Sequence, residues 1–335
     1  MVKKIWSNNG NWENALVMIL TFLTIIVSGA LSSLQLSATL VCVLFSPIPV
    51  SLLYMKVDRK KFTMIIVFMM LINMIVNGID GAIGSLLFSV VLGIILATCI
   101  DKKYSSVNTV KFFTIACFFV LVINTVIHIS INNIDINAIL QQVANSYISR
   151  INEMIKMYKS IGVDENYISL FNQVKDMIDP KLIASIIPYL LTMYSLFVST
   201  ITYFLFKNIL SSSNVEVPKK IGFRSFYISN IFIAILIGIT SIGFILTSIG
   251  ISLGDIIKNS GINIIYIILI INGMASVTYF FRVRANKSRV FIVIMLFIFL
   301  NLGLQEILLC IGFAEMLLDF RRMDPYSFRK TRKGV

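Results

Sequence analysis

The acidic residue Glu306 lies within an apolar stretch, residues 290–319, between Leu304 and Ile307. A carboxylate in hydrocarbon costs roughly 3 kcal/mol on insertion scales, so an acid inside a membrane segment needs a reason to be there. One reason is contact with a ligand, a proton or an ion. The structural alternative is that Glu306 lies at a turn between two short helices and touches water.

Two further polar positions recur on one helical face. Asn124 and His128 are four residues apart in an apolar segment, so both project from the same side of a helix. The pair could bind a polar ligand or relay a proton, but polar residues near a helix end are also typical of the membrane interface. Asn73, an amide in another apolar segment, could contact a ligand or form a hydrogen bond between helices.

Pro47 and Pro49 lie in the sequence Ser46-Pro47-Ile48-Pro49, inside an apolar stretch. Two prolines remove two backbone donors and bend or break a helix. Broken helices in transporters expose backbone groups that bind ligands near the middle of the membrane. The alternative is a simple kink or an early helix end.

Glu315 and Asp319 are four residues apart and share a predicted helical face, with Arg322 along the same direction. A charge cluster at the membrane interface explains Asp319 and Arg322. Glu315 lies deeper in the apolar segment, so that explanation fits it less well.

The sequence predicts no enzyme, no catalytic residues, no metal site and no cofactor. It contains no GxSxG, HExxH or P-loop pattern. The single histidine is His128, and the four cysteines form no CxxC pair. The cysteines all fall inside apolar segments, which also excludes an extracellular disulfide framework: Cys42, Cys99, Cys117 and Cys310.

Composition identifies the elements that must position these residues. Of 335 residues, 57% are hydrophobic and 13% are charged, well outside the range of soluble domains. The formal charge of +13 is explained by basic cytoplasmic loops, so nucleic-acid binding is excluded. We predict an all-α, polytopic transmembrane helix bundle in the lipid bilayer, with about 9–10 membrane segments: 15–34, 36–55, 62–76, 82–100, 110–131, 182–206, 223–250, 262–281 and the stretch 290–319, which counts as one or two.

The last stretch, 290–319, is too long for one untilted span and contains a polar break at residues 301–306. If it forms a hairpin, 23 basic residues lie inside and 6 outside, whereas one span gives 17 and 12. The positive-inside rule therefore favours the hairpin, with both termini cytoplasmic. An uncleaved first helix is favoured over a signal peptide.

Residues 132–182 form the one sizeable polar region, with 5 basic and 6 acidic residues. Apolar residues recur at helical spacing from Leu140 to Tyr158 and again from Tyr167 to Ile178. Gly162 is a suitable helix stop and Asp164 a suitable N-cap. We predict an extracytoplasmic two-helix hairpin whose apolar face is buried on itself, the membrane, the bundle or a partner protein.

The predicted organisation follows from these segments. N-terminal transmembrane helices occupy 1–131, and the extracytoplasmic amphipathic hairpin occupies 132–182. C-terminal transmembrane helices occupy 183–319, and a basic cytoplasmic tail occupies 320–335. The cytoplasmic loops are too short for a nucleotide-binding domain, so any use of ATP would require a partner ATPase.

Three features together resemble a known family. They are the span with Ser46-Pro47-Ile48-Pro49, the helical insertion before Ile187-Pro188, and the ending Ile311–Arg322. The pattern resembles the YybS-like membrane proteins of Gram-positive bacteria over most of the chain. The last helix of that family typically has a glycine, an acidic residue and a closing Asp-Phe-Arg, which correspond here to Gly312, Glu315, Asp319, Phe320 and Arg321.

The resembled family is in turn distantly similar to the substrate-binding subunits of energy-coupling-factor transporters and to the rod-shape protein MreD. Those subunits bind vitamins or metals and dock on a partner through small residues spaced by four in the first helix. Ser28 and Ser32 have that spacing here, but the run of alanines is missing. The resemblance implies no catalytic residues.

These observations give two functional hypotheses. The first is a non-enzymatic membrane subunit that binds a small molecule or lipid for transport, with ligand contacts at Pro47, Pro49, Asn73, Asn124 and Glu306. Its membrane protein partner would be a transport ATPase complex. The second is a membrane scaffold for cell-envelope or cell-shape machinery, whose outer hairpin holds cell-envelope proteins.

Overall fold

A computed structural model describes residues 11–34, 43–213, 222–251 and 253–323. All regular elements in these ranges are helices, and none of the described residues forms a strand. The prediction of an all-α polytopic protein is confirmed. The chain divides into two compact units, Met1–Ile134 with Leu191–Ile221 and Asp135–Leu190 with Gly222–Val335. The predicted ranges 1–131, 132–182, 183–319 and 320–335 separate membrane from non-membrane segments, not compact units, and they stay a prediction.

The first unit is built from apolar helices around two clusters of buried side chains. One cluster centres on Phe88, Phe113 and Phe206, and the other on Ile25 and Leu53. The helices are α1 (Asn11–Leu34), α2 (Pro47–Lys56), α3 (Arg59–Ser85), a π-helical turn (Leu86–Val91), α4 (Leu92–Asp101) and α5 (Ser106–Ile131), with the later part of α8 (Pro180–Ser212).

The second unit begins with the predicted two-helix hairpin. Gly162 has a positive φ of 75° between the two helices, and the Asp164 carboxylate accepts a hydrogen bond from Asn166 N, as expected for a stop and an N-cap. The helices are α6 (Ile136–Ser160), α7 (Glu165–Asp176), the start of α8, α9 (Asn230–Ser248), α10 (Leu253–Tyr279), a π-helical turn (Phe280–Arg284), α11 (Arg289–Asn301) and α12 (Gln305–Leu318).

Six helices of the described chain are long and apolar enough to cross a membrane. One of them, Arg59–Asp101, has 43 residues and would extend about 65 Å if it were straight. The chain turns back at Gly78, which has a φ of 72°. The turn is shown by the distance of 2.6 Å between Asn73 Nδ2 and Ser85 Oγ. A straight helix would separate those residues by about 18 Å. The two arms match the predicted spans 62–76 and 82–100.

Two predicted spans have the wrong start. The segment 223–250 becomes helical only at Asn230, because residues 223–225 form a 3₁₀ turn and extended backbone follows it. The segment 262–281 begins earlier, at Leu253, because Lys258 pairs with Asp255 within the helix and offsets its charge. Part of the predicted span 36–55, residues 36–42, lies outside the described residues.

The apolar stretch 290–319 is broken, as the polar residues at 301–306 predict. Helices α11 and α12 meet at an angle of 111°. With 13 and 14 residues they extend about 20 Å each, less than the hydrocarbon thickness of about 30 Å. The stretch is therefore not one straight helix. Helix α12 crosses α10 with backbone against backbone, where Gly312 meets Leu269 and Gly273 meets Leu308.

Candidate functional site in the first helical unit

Asn73 is the centre of a buried polar network between the arms of the Gly78 hairpin. Its side chain is 0% exposed. Asn73 Nδ2 donates to Ser85 Oγ at 2.6 Å, and its Oδ1 accepts from Asn77 Nδ2 at 2.6 Å. The glycine turn creates this network, because it folds the second arm back over the first.

Helix α1 closes one side of the network. Asn77 Nδ2 also donates to the Ile26 carbonyl at 3.0 Å, which ties the hairpin to α1. A Cβ added at Gly29 would lie 2.6 Å from Asn73 Oδ1, so only glycine lets α1 approach this closely. Ser28 Oγ lies 2.9 Å from Ser89 Oγ on the second arm.

Asn124 on α5 approaches the same arm from another side. It is buried, and a Cβ added at Gly84 would lie 3.4 Å from its Oδ1. The same Cβ would overlap with the Ser32 hydroxyl of α1. The structure therefore places Asn73 and Asn124 against one short segment, residues 81–85, although they are 51 residues apart in the sequence.

His128 pairs with Asp80 beside the Gly78 turn. The distance from His128 Nδ1 to Asp80 Oδ2 is 2.8 Å, and both side chains are partly exposed. The Asn132 amide nitrogen also lies 3.3 Å from His128 Nδ1, so this ring nitrogen is held between two polar side chains. The partly exposed ring at the helix end favours the interface interpretation of His128 over a ligand contact.

The proline segment lies within helical backbone that runs from Val43 to Lys56, with a turn residue at Ser46. Pro47 is the first residue of α2, where a missing N–H costs nothing. Ser51 Oγ contacts both the Pro47 carbonyl at 2.7 Å and the Gly93 carbonyl at 2.8 Å. Thr202 Oγ1 donates to the Leu44 carbonyl at 2.8 Å. Hydroxyl groups of the chain therefore engage the backbone around Pro47 and Pro49. The helix continues beyond both prolines to Lys56, which favours the simple kink.

Glu306 is not part of this network. It lies in the second unit, is exposed, and occupies the first turn of α12 after the bend. A carboxylate is favourable at that position because it faces the positive end of the helix dipole. The geometry supports the turn alternative.

Sequence reasoning missed the buried ion pair of the second unit. It placed Arg322 in line with Glu315, but Arg322 is exposed and Arg321 makes the contact, at 2.7 Å from its Nε to Glu315 Oε1. Helix α12 ends at Leu318, and the left-handed backbone of Asp319 (φ 42°) turns the chain back. Helical spacing counted beyond Leu318 predicts the wrong arginine, because the chain is no longer helical there. The ending Asp319-Phe320-Arg321, noted in the sequence for its resemblance to YybS-like proteins, was the available signal.

The chemistry of the Asn73 network is neutral. It consists of the Asn73 and Asn77 amides, the Ser85 hydroxyl and backbone carbonyls, which donate and accept hydrogen bonds without charge. Nowhere in the described ranges do three His, Cys, Asp or Glu side chains group as metal ligands would. The network could therefore hold a polar, uncharged group.

Comparison with known proteins gives one family. The model described as "Predicted membrane protein (DUF2232)" matches residues 15–316 of the chain. No curated protein and no solved structure matches the chain. The family description agrees with the long apolar helices, and the matched range contains Asn73, Asn124 and Glu315.

Proposed function

The chain belongs to the DUF2232 family of predicted membrane proteins, and we propose that it is a non-enzymatic membrane subunit that binds a small molecule or lipid for transport. The observation that carries the proposal is the fully buried amide of Asn73 between the arms of a broken hairpin. Polar groups in membrane segments are costly, and in transporters they mark substrate pathways.

The proposed contacts differ in their support. Asn73 and Asn124 lie against the same segment, 81–85, so one ligand can reach both. A neutral polar molecule, or the uncharged part of a lipid head group, would bind by replacing hydrogen bonds within the network with bonds to itself. Pro47, Pro49 and Glu306 stay predictions as ligand contacts, because local explanations account for their positions.

The YybS-like identity and the distant similarity to energy-coupling-factor subunits and MreD also stay predictions. Energy-coupling-factor subunits dock on a partner through small residues of the first helix. That mode gains no support here, because Ser28 and Ser32 of α1 face Ser89 and Gly84 of the same chain. A partner ATPase would therefore use another surface. We place the α6–α7 hairpin outside the cell and both termini inside, since the bent pair α11–α12 can return the chain to the side it entered from.

The direct test is retention of a bound molecule. The protein is purified from native membranes into lipid nanodiscs and denatured, and the released small molecules and lipids are identified by mass spectrometry. Asn73→Ala and Asn124→Ala should each reduce one retained species at least about tenfold, the effect of losing roughly 1.4 kcal/mol of binding. Asn301→Ala is the matched control, because its exposed amide bonds only its own helix. The proposal fails if no retained species depends on Asn73 or Asn124.

The scaffold alternative is favoured by one observation, the large apolar side chains that the hairpin leaves exposed. They include Met157 on α6 and Tyr167 on α7. Phe171 is a poorer probe, since its ring packs on Tyr158 at 5.3 Å and a charge there would open the hairpin itself.

Partner capture separates the two functions. Native membranes are cross-linked, and the proteins that co-purify in mild detergent are identified. An ATPase with its membrane coupling subunit supports transport. Cell-wall or division proteins, lost in Met157→Asp and Tyr167→Asp but kept in Asn73→Ala, would replace the proposal with the scaffold.

A further inference from the structure

A row of hydroxyl groups runs between α5 and α8 of the first unit. On α8, Ser195, Ser199, Tyr203 and Lys207 follow one another at intervals of four residues, so they lie on one helical face. Three of them are fully buried, although the surrounding side chains, such as Val198 and Phe206, are apolar.

Two contacts fix the register of the helices. Tyr203 OH donates to Ser106 Oγ at 2.7 Å near the start of α5, and the Cys117 thiol lies close to the Ser195 hydroxyl further along it. The numbering rises on one helix as it falls on the other, so the helices run antiparallel here. Thr109 of α5 and Ser199 of α8 therefore lie in the interval between the two contacts.

Thr109 Oγ1 and Ser199 Oγ have no hydrogen-bond partner among the described residues, and Ser195 Oγ has no neighbour in hydrogen-bonding geometry beyond its loose contact with the Cys117 thiol. All three side chains are 0% exposed. Other hydroxyls of the same helices donate to the carbonyl four residues back, as Thr114 does to Val110 at 2.8 Å. Hydroxyls in helices readily form that local bond, and leaving a buried hydroxyl unpaired costs free energy.

We propose that this row is a binding site for small hydrogen-bonding guests, either water molecules or the hydroxyl groups of a neutral solute. Several hydroxyls at one-turn intervals can donate to and accept from such a guest in succession. A neutral guest is favoured because the row carries charge only at its end, where Lys207 Nζ lies 3.4 Å from Ser106 Oγ and over the Tyr203 ring. The inference does not depend on the Asn73 network or on transport.

The sign of a stability change tests the site. Thr109→Val, Ser195→Ala and Ser199→Ala remove the hydroxyls with little change of shape. If guests pair with them, the combined variant should unfold at a lower temperature in nanodiscs, by at least about 4 °C. If the hydroxyls are unpaired, their removal is neutral or stabilising. An equal or higher unfolding temperature therefore overturns the proposal. The control Thr114→Val removes a locally bonded hydroxyl of α5.

Added glycerol distinguishes the two kinds of guest. If the row holds a neutral solute, glycerol should raise the unfolding temperature of the native chain in nanodiscs more than that of the combined variant. An equal rise in both chains, together with the lower unfolding temperature of the combined variant, identifies water. Thr114→Val should respond to glycerol as the native chain does.

Discussion

The Nε of Arg321 donates to Glu315 Oε1 at 2.7 Å, and the exposures of the two side chains are 0% and 3%. The same guanidinium donates to Asn272 Oδ1 at 3.0 Å and to the Phe226 carbonyl at 3.0 Å. The end of α12 is thereby bound to α10 and to the segment that precedes α9. Three separated parts of the sequence meet at one buried cation.

Removing the carboxylate should destabilise the second unit strongly. Glu315→Ala leaves the Arg321 guanidinium buried without its counter-charge, which typically costs about 3–5 kcal/mol. Thermal unfolding in detergent measures the loss. Glu306→Ala is the control, since that carboxylate is exposed, and it should change the unfolding temperature little. The combined variant Glu315→Leu, Arg321→Met should recover part of the loss, and equal stability of Glu315→Ala and the native chain would contradict the burial of the pair.

The crossing of α10 and α12 requires glycine. A Cβ at position 312 would overlap with the Leu269 carbonyl, a backbone atom that cannot move aside alone. We expect Gly312→Ala to cost at least about 2 kcal/mol of unfolding free energy, as overpacked sites do. Gly238→Ala on α9 is the control, because a Cβ there meets nothing within 4 Å. If both variants unfold alike, the two backbones are not in contact.

Asp80 and His128 should show weak but measurable coupling. Their side chains are 20% and 28% exposed, so solvent screens the pair, and we expect about 0.5–1 kcal/mol. A double-mutant cycle with Asp80→Asn and His128→Gln measures it from unfolding midpoints. Strictly additive effects would show that the turn at Gly78 and the end of α5 are held together by other contacts.

Single cysteines report the sides of the membrane. In a chain without native cysteines, Ser160→Cys on the α6–α7 hairpin should react with an impermeant maleimide added to intact cells. Ser225→Cys, in the turn before α9, should react only after lysis. Labelling of both from outside would contradict the proposed topology and the cytoplasmic C-terminus.

Several parts of the fold were predictable because their signals are local. Apolar runs of about 20 residues identify membrane helices. The gap between the predicted spans 62–76 and 82–100 and the predicted stop at Gly162 each contain a turn of the structure. The break in 290–319 was predictable from its polar residues. The residues at which helices start were harder to predict. The helix that begins at Leu253 contains the charged residues Asp255 and Lys258, which pair with each other.

The site was predictable only as a set of candidates. Asn73 and Asn124 were identified as amides that need partners, but their meeting at residues 81–85 depends on how sharply the chain turns at Gly78. The hydroxyls of Thr109, Ser195 and Ser199 carried no signal, because serine and threonine in membrane helices usually bond their own backbone.

By itself, the sequence determined that this chain is helical and lies in a membrane, because hydropathy and helical spacing are properties of each segment alone. Only the tertiary structure decided which polar groups meet. Arg321 reaches Glu315 because Asp319 adopts a left-handed conformation that reverses the chain after α12. Such a contact depends on the directions in which helices end and cross, and those directions are set by packing between distant segments.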